Sequence, residues 1–167
     1  MDLYLLRHAI AVERGTPGYE VDSTRPLTPR GEQKMWQIAE GMKALGLSFD
    51  LILTSPYVRA RQTAEVVAQV LKAKDKMEFS AALAPGGDPT ELIEELNRRG
   101  SSLRSVILVG HEPGMSELIS MLLADNTDCS ITMKKGGLCK LSVGTLRYGQ
   151  CATLEWLLTP GQMTRIR

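Results

Sequence analysis

Two histidines and two arginines of this 167-residue chain stand where chemistry can be done: Arg7, His8, Arg59 and His111. His8 and His111 are the chain's whole histidine complement. Each follows a short apolar run, Leu3 to Leu6 and Val106 to Val109, by one or two residues. Arg7 precedes His8, and Arg59 follows Ser55-Pro56, just past a third run, Leu51-Ile52-Leu53. A guanidinium offers a planar fork of donors suited to phosphate oxygens and keeps its charge. A helix N-terminus adds N–H groups and partial positive charge. A neutral imidazole is a competent nucleophile near pH 7, and neighbouring arginines disfavour its protonation. Two arginines and two imidazoles brought together therefore make a seat for a phosphoryl group with a nucleophile beside it. The plainer reading has each histidine capping its strand through a nearby carbonyl, and it accounts for one isolated histidine better than for four matched residues.

The surrounding sequence supplies elements able to bring the four together. The three apolar runs lack polar alternation, as in parallel strands buried on both faces. A weaker strand is read at Met77 to Phe79. Helical patterns lie between. Thr28-Pro29 reads as N-cap and first helical residue, with Met35, Ile38, Ala39, Met42 and Leu45 at helical spacing and Gly46 as the C-terminal cap. Ser55-Pro56 reads as a second helix start, with Ala60, Ala64, Val67 and Leu71 on one face. Asp88-Pro89-Thr90-Glu91 carries an N-cap and a capping-box acid. A fourth helix starts at Pro113 and holds Leu118, Ile119, Leu122 and Leu123. Near the C-terminus, Cys139, Leu141 and Val143, then Ala152, Leu154, Trp156 and Leu158, alternate with polar residues and predict a hairpin with one covered face. The fold expected is α/β: a three-layer α/β/α sandwich with a mostly parallel central sheet and an antiparallel C-terminal hairpin. In such sheets ligands bind outside the carboxyl ends of the strands, where Arg7, His8 and His111 fall.

Size and composition bound the partners. A chain of 18.4 kDa buries roughly 70% of its surface on folding, which suits one domain spanning 1–167 and not two. Twenty basic residues face nineteen acidic ones, a net charge of +1, so bulk charge argues for neither nucleic acid nor an anionic membrane as partner. The apolar runs fall short of the ~20 residues that span a bilayer, and no signal peptide is read at the N-terminus. Cys129, Cys139 and Cys151 fit neither a disulfide framework nor a zinc pattern, and free thiols point to a cytoplasmic location.

The motifs resemble a known family. Leu5-Leu6-Arg7-His8-Ala9 is similar to the Arg-His-Gly signature of the histidine phosphatase (phosphoglycerate-mutase-like) superfamily. The resemblance continues through Leu27-Thr28-Pro29-Arg30-Gly31, the string Ser55-Pro56-Tyr57-Val58-Arg59-Ala60-Arg61-Gln62-Thr63-Ala64, and Val109-Gly110-His111, in family order from residue 3 to residue 111. The segments Asp22 to Thr28 and His111-Glu112-Pro113 look most like the small bacterial protein-phosphohistidine phosphatases. The resemblance implies that His8 is the nucleophile and becomes phosphohistidine transiently, that Arg7 and Arg59 hold phosphoryl oxygens, and that His111 donates to the phosphoryl group. It implies no metal and no cofactor. Asp22, Arg25 and Glu112 are expected at the pocket rim. The expected partner is a histidine-phosphorylated protein such as a phosphotransfer domain. The alternatives are a phosphatase of small phosphomonoesters such as sugar phosphates, and a non-catalytic phosphate-binding module. Two departures stand out. Position 9 is Ala where the superfamily usually has Gly. In addition, Ala81 to Asp88 holds no Glu where mutases and many phosphomonoesterases place a general acid, and Asp88 reads more simply as a helix cap.

Overall fold

The computed structural model describes residues 1–100 and 102–166. Six strands form one sheet: β1 (Asp2–Arg7), β2 (Leu51–Thr54), β3 (Met77–Phe79), β4 (Ser105–Gly110), β5 (Leu138–Val143) and β6 (Ala152–Leu158), in the spatial order β3-β2-β4-β1-β5-β6. The β3–β2, β2–β4 and β4–β1 pairs are parallel, whereas β1–β5 and β5–β6 are antiparallel. The helices are α1 (Pro29–Ala44), α2 (Val58–Val70), α3 (Pro89–Arg98), α4 (Gly114–Ala124) and a short α5 (Pro160–Met163).

Alternate residues of the central strands feed two separate cores. Tyr4, Leu6, Ile52, Ile107 and Val109 pack with Met35, Ile38 and Met42 of α1 and Ala60, Ala64 and Val67 of α2. Leu3, Leu5, Leu53, Val106 and Leu108 pack on the other face with Leu92, Ile93 and Leu96 of α3 and Leu118, Ile119 and Leu122 of α4. Burial on both faces is why these strands are uninterrupted apolar runs, and the three-layer sandwich with its antiparallel hairpin is the fold the sequence predicts. Met35, Met42, Trp36, Trp156 and Cys139 all serve as packing.

This topology builds the site. The chain leaves β1 toward the face covered by α1 and leaves its neighbour β4 toward the face covered by α4. Adjacent strands whose connections diverge leave a crevice at their carboxyl ends. His8 continues β1 into that crevice, its N–H bonded to the Gly110 carbonyl of β4 at 3.0 Å.

The start of α1 is also fixed closely. The Thr28 hydroxyl accepts from Gly31 N at 3.0 Å, and Thr28 N donates to Ile10 O at 3.0 Å. A Cβ on Gly31 would run into the Ile10 carbonyl, so only glycine lets the helix approach the chain leaving β1 this closely. An Ala11–Leu27 bridge and a Val12 N–Pro26 O bond of 2.9 Å close the intervening residues into a loop.

Several expectations need correction. Ser55-Pro56 does not start α2, which begins at Val58 after a Tyr57 cap without a side-chain bond. Ser55 N still extends the ladder to Val109 O at 3.0 Å, and its hydroxyl is used elsewhere. α4 begins at Gly114, with Pro113 as its cap. Asp88 caps α3 by accepting from Thr90 N at 2.7 Å, without a reciprocal capping box from Glu91. Leu45, expected on the covered face of α1, is 42% exposed. The hairpin does not keep one covered face. Lys140 opposes Trp156 but Leu141 opposes Leu154, leaving Glu155 as an extra residue. This bulge turns Trp156 and Leu158 to the α1 core while Ala152 stays with the α4 core, and Leu154 is 46% exposed. α5, closed by a Thr159–Gln162 capping box, was not anticipated.

Candidate active site

Arg7, His8, Arg59 and His111 converge at the carboxyl ends of β1 and β4 and the first turn of α2. The two imidazole centroids lie 5.1 Å apart. His8, Arg59 and His111 are 6%, 3% and 4% exposed. The local sequence explains the convergence: both histidines leave neighbouring strands, and Arg59 is the second residue of the helix that follows β2.

Hydrogen bonding fixes the state of each ring. His8 Nδ1 lies 2.7 Å from the Ala9 carbonyl, which can only accept, so Nδ1 carries the proton and Nε2 keeps its lone pair. Arg59 Nε donates to that Nε2 at 3.3 Å. Burial, with the positive charges of Arg59 and Arg7 alongside, pushes the His8 pKa down to about 3. Burial also depresses His111, to about 4, with Arg59 the next contributor. Both rings are therefore neutral near pH 7. His111 Nε2 sits 2.8 Å from Ser55 Oγ, which also accepts from Tyr57 N at 3.2 Å. Ser55 is fully buried, and among the described residues its hydroxyl hydrogen has no other acceptor. Ser55 thus donates to Nε2, and the His111 proton resides on Nδ1, a buried atom without a partner.

The arginines are held at their outer edges. Arg7 Nη1 donates to Met133 O at 2.7 Å, and its buried Nε has no partner. Arg59 Nη1 and Nη2 donate to the Asp22 carbonyl at 2.8 Å and to Asp22 Oδ2 at 3.0 Å. Arg25 binds Asp22 Oδ1 through Nε and Nη2 at 2.9 and 2.7 Å, and Arg14 reaches the same oxygen at 3.3 Å. Burial alone would raise the Asp22 carboxyl; bonds from Arg25 and Arg59 overcome it and hold the group down at about 2. Asp22 accordingly anchors Arg59, and Arg25 in turn holds Asp22. Glu112 follows His111, with Oε2 accepting from Ser116 Oγ at 2.5 Å and Oε1 buried without a partner. A cavity of about 320 Å³ opens beside His111 and Glu112, walled by Ala82–Gly87, Met115 and Tyr148.

Ala9 does not adopt a positive φ, so the departure from glycine costs nothing here. Its N–H donates to Thr63 Oγ1 at 3.0 Å, and that hydroxyl donates to Arg59 O at 2.7 Å. Ser55, Tyr57 and Thr63 also join the candidate site, although sequence reasoning assigned them no part in its chemistry. Tyr57 lies edge-on to His111, with centroids 5.3 Å apart, and under the Arg59 guanidinium at 5.2 Å. The signal was present: Arg59 and Thr63 are four apart, on one helical face. Among the described residues no three His, Cys, Asp or Glu side chains gather as a metal site, and no helix is long and apolar enough to cross a membrane.

Residues 3–84 match the model of the histidine phosphatase superfamily (branch 1). The chain is 36% identical over 148 residues to an uncharacterized protein of Picosynechococcus sp., covering 88% of each. It is 26% identical over 163 residues to the phosphohistidine phosphatase SixA of Escherichia coli, covering 96% of this chain and 94% of that one. A structure of the protein histidine phosphatase SixA complexed with tungstate superposes with a TM-score of 0.81 at 24% identity, covering 96% and 98% of the two chains. With motifs, topology and relatives in agreement, the chain belongs to the histidine phosphatase superfamily and is a phosphatase of that group.

Proposed function

We propose that this phosphatase hydrolyses phosphohistidine on a protein, such as a phosphotransfer domain, through a covalent intermediate on His8. One observation carries the choice of substrate: the two aspartates near the site are committed to contacts other than giving up a proton, and Glu112 is engaged through one oxygen, with Oε1 left over. Asp22 is held ionised by arginines. Asp88 caps α3. Glu112 accepts a hydroxyl from Ser116. An alkyl phosphate needs its leaving oxygen protonated, a step to which a positioned acid contributes typically 10²–10⁴-fold. Phosphohistidine leaves as an imidazole, whose conjugate acid has a pKa near 6.5.

In the proposed first step the His8 Nε2 lone pair forms a bond to phosphorus. The bond from phosphorus to the substrate nitrogen breaks, and its electron pair stays on that imidazole, which takes a proton from solvent. Arg7, Arg59 and the His111 Nδ1–H stabilise the phosphoryl oxygens as charge spreads in line. For this Arg59 turns its Nε from His8 to the phosphoryl group. Water then attacks phosphorus, the His8–phosphorus bond breaks, and inorganic phosphate leaves.

The test is a substrate panel with rapid quench. The wild type should release phosphate from a histidine-phosphorylated carrier protein and from aryl phosphates, and act on alkyl phosphates at least ~10²-fold more slowly. An acid-labile phosphoenzyme should form in the wild type and not in His8→Ala. Preference for sugar phosphates would establish a phosphomonoesterase instead, and inactivity on the whole panel a phosphate-binding module.

A further inference from the structure

We propose that the turn Lys134–Gly137 docks an acidic surface of the protein that carries the phosphohistidine; this rests on the phosphohistidine reading above. The turn is closed by Gly137 N donating to Lys134 O at 2.6 Å, with Gly136 at φ +80°. It is fastened directly to the chemistry. Gly136 N donates to the carbonyls of Arg7 and His8 at 3.0 and 3.2 Å, and Arg7 N donates to Gly137 O at 3.2 Å. Arg7 Nη1 takes the carbonyl of Met133, the buried residue just before the turn. A Cβ on Gly136 would come within 2.8 Å of Ile38 Cδ1, so the turn lies flush against α1. Its backbone is thereby immobilised beside the nucleophile.

Lys134 and Lys135 are exposed on this clamped turn. Neither forms an ion pair among the described residues; the lysines that do are Lys43 and Lys140. The loop 13–22 carries Glu13 and Glu20 as well as Arg14, and the Asp22 carboxylate is answered by Arg14, Arg25 and Arg59. With a net charge of only +1, two adjacent exposed lysines, unpaired among the described residues, on a turn bonded to the backbone of Arg7 and His8 are a local concentration of charge. Their field fades over a Debye length of about 8 Å. A free phosphohistidine presents them with its phosphoryl group alone, whereas a phosphorylated protein also brings the acidic surface around that group. Such charges act mainly on association and on choice of partner.

The experiment compares two substrates in three proteins: wild type, Lys134→Glu/Lys135→Glu and Lys134→Ser/Lys135→Ser. One substrate is an acidic phosphotransfer domain phosphorylated on histidine with phosphoramidate; the other is free phosphohistidine. At low salt the charge reversal should lower kcat/KM for the phosphoprotein about tenfold or more, chiefly through KM, and the serine pair should lower it by a smaller factor. Turnover of free phosphohistidine should change less than about twofold, and about 0.5 M NaCl should erase the difference between proteins. Equal losses on both substrates, or no loss on the phosphoprotein, would overturn the docking role while leaving the phosphohistidine reading intact. If the wild type hydrolyses neither substrate, that reading fails and the docking role falls with it.

Discussion

Replacing Ser55 with alanine isolates one hydroxyl that serves both stability and catalysis. The hydroxyl donates to His111 Nε2 at 2.8 Å and accepts from Tyr57 N at 3.2 Å, in a residue with no exposed surface. Alanine leaves the buried Nε2 without its partner, a cost of about 1–3 kcal/mol. Stability measured by urea unfolding should therefore fall by about 2 kcal/mol. The catalytic loss is of another kind. His111 stays neutral but is no longer compelled to carry its proton on Nδ1, so the donor proposed for the phosphoryl group is only partly populated and less firmly aimed. A net hydrogen bond of about 1 kcal/mol translates into roughly a fivefold fall in kcat, well short of the 10²–10³ for losing a donor outright. Ser55→Thr keeps the hydroxyl and should recover kcat while remaining less stable, because its extra methyl enters a filled core. ¹⁵N NMR of histidine-labelled protein reads the tautomer directly. A wild-type spectrum with the His111 proton on Nε2, or a fully active Ser55→Ala, would refute the argument.

The other expectations follow from neighbouring contacts. Arg59→Ala should lose about 10²–10³ in kcat/KM. Arg61→Ala should lose almost nothing, since Arg61 is 45% exposed and its 3.6 Å pair with Glu65 is a surface one; similar losses at both would mean that the other face of α2 lines the pocket. Burial keeps His8 and His111 neutral when folded, with pKa values of about 3 and about 4 against an ordinary 6.5, so the unfolded chain takes up protons first. Their contribution to stability is complete above about pH 6.5 and declines as pH falls, at up to ~1.4 kcal/mol per pH unit for each ring. Urea unfolding between about pH 7 and pH 5 should show this slope, and His8→Gln should flatten it by about half; a level profile contradicts it. Asp88→Ala should cost about 1 kcal/mol of stability with turnover retained, as measured by urea melts beside steady-state assays; a large loss of activity would reveal a proton donor at the start of α3.

The sequence is most legible where local and global demands coincide. Leu3–Leu6, Leu51–Leu53 and Val106–Val109 are apolar at every position because both faces are covered, and that double burial also places His8 and His111 at neighbouring strand ends. Ser55-Pro56 shows the limit. The pair carries a familiar helix-start signal, but its hydroxyl, besides accepting from Tyr57 N, reaches across the sheet to a histidine 56 positions away, and the helix starts only at Val58. Non-local partners of this sort leave no periodicity to read. The β6 bulge was hidden for a related reason: Glu155 fits an outward position in simple alternation, and only pairing with β5 shows that it adds a step. Asp22 and Arg25 could be expected near the pocket, while the chain of contacts from Arg25 through Asp22 to Arg59 depends on how the loop folds back.

That loop divides inheritance from experiment. Its neck is bolted down by the Ala11–Leu27 bridge, the Val12–Pro26 bond and Leu27 N donating to Gln62 Oε1 at 2.7 Å, whereas Glu13, Arg14, Gly15, Pro17, Gly18 and Glu20 at its tip are exposed. Residues at the tip other than Arg14, which pairs with Asp22, are set apart from His8 by this neck. The fold thus offers a lineage a cheap place to rewrite what approaches the pocket while the hydrolytic centre stays the same.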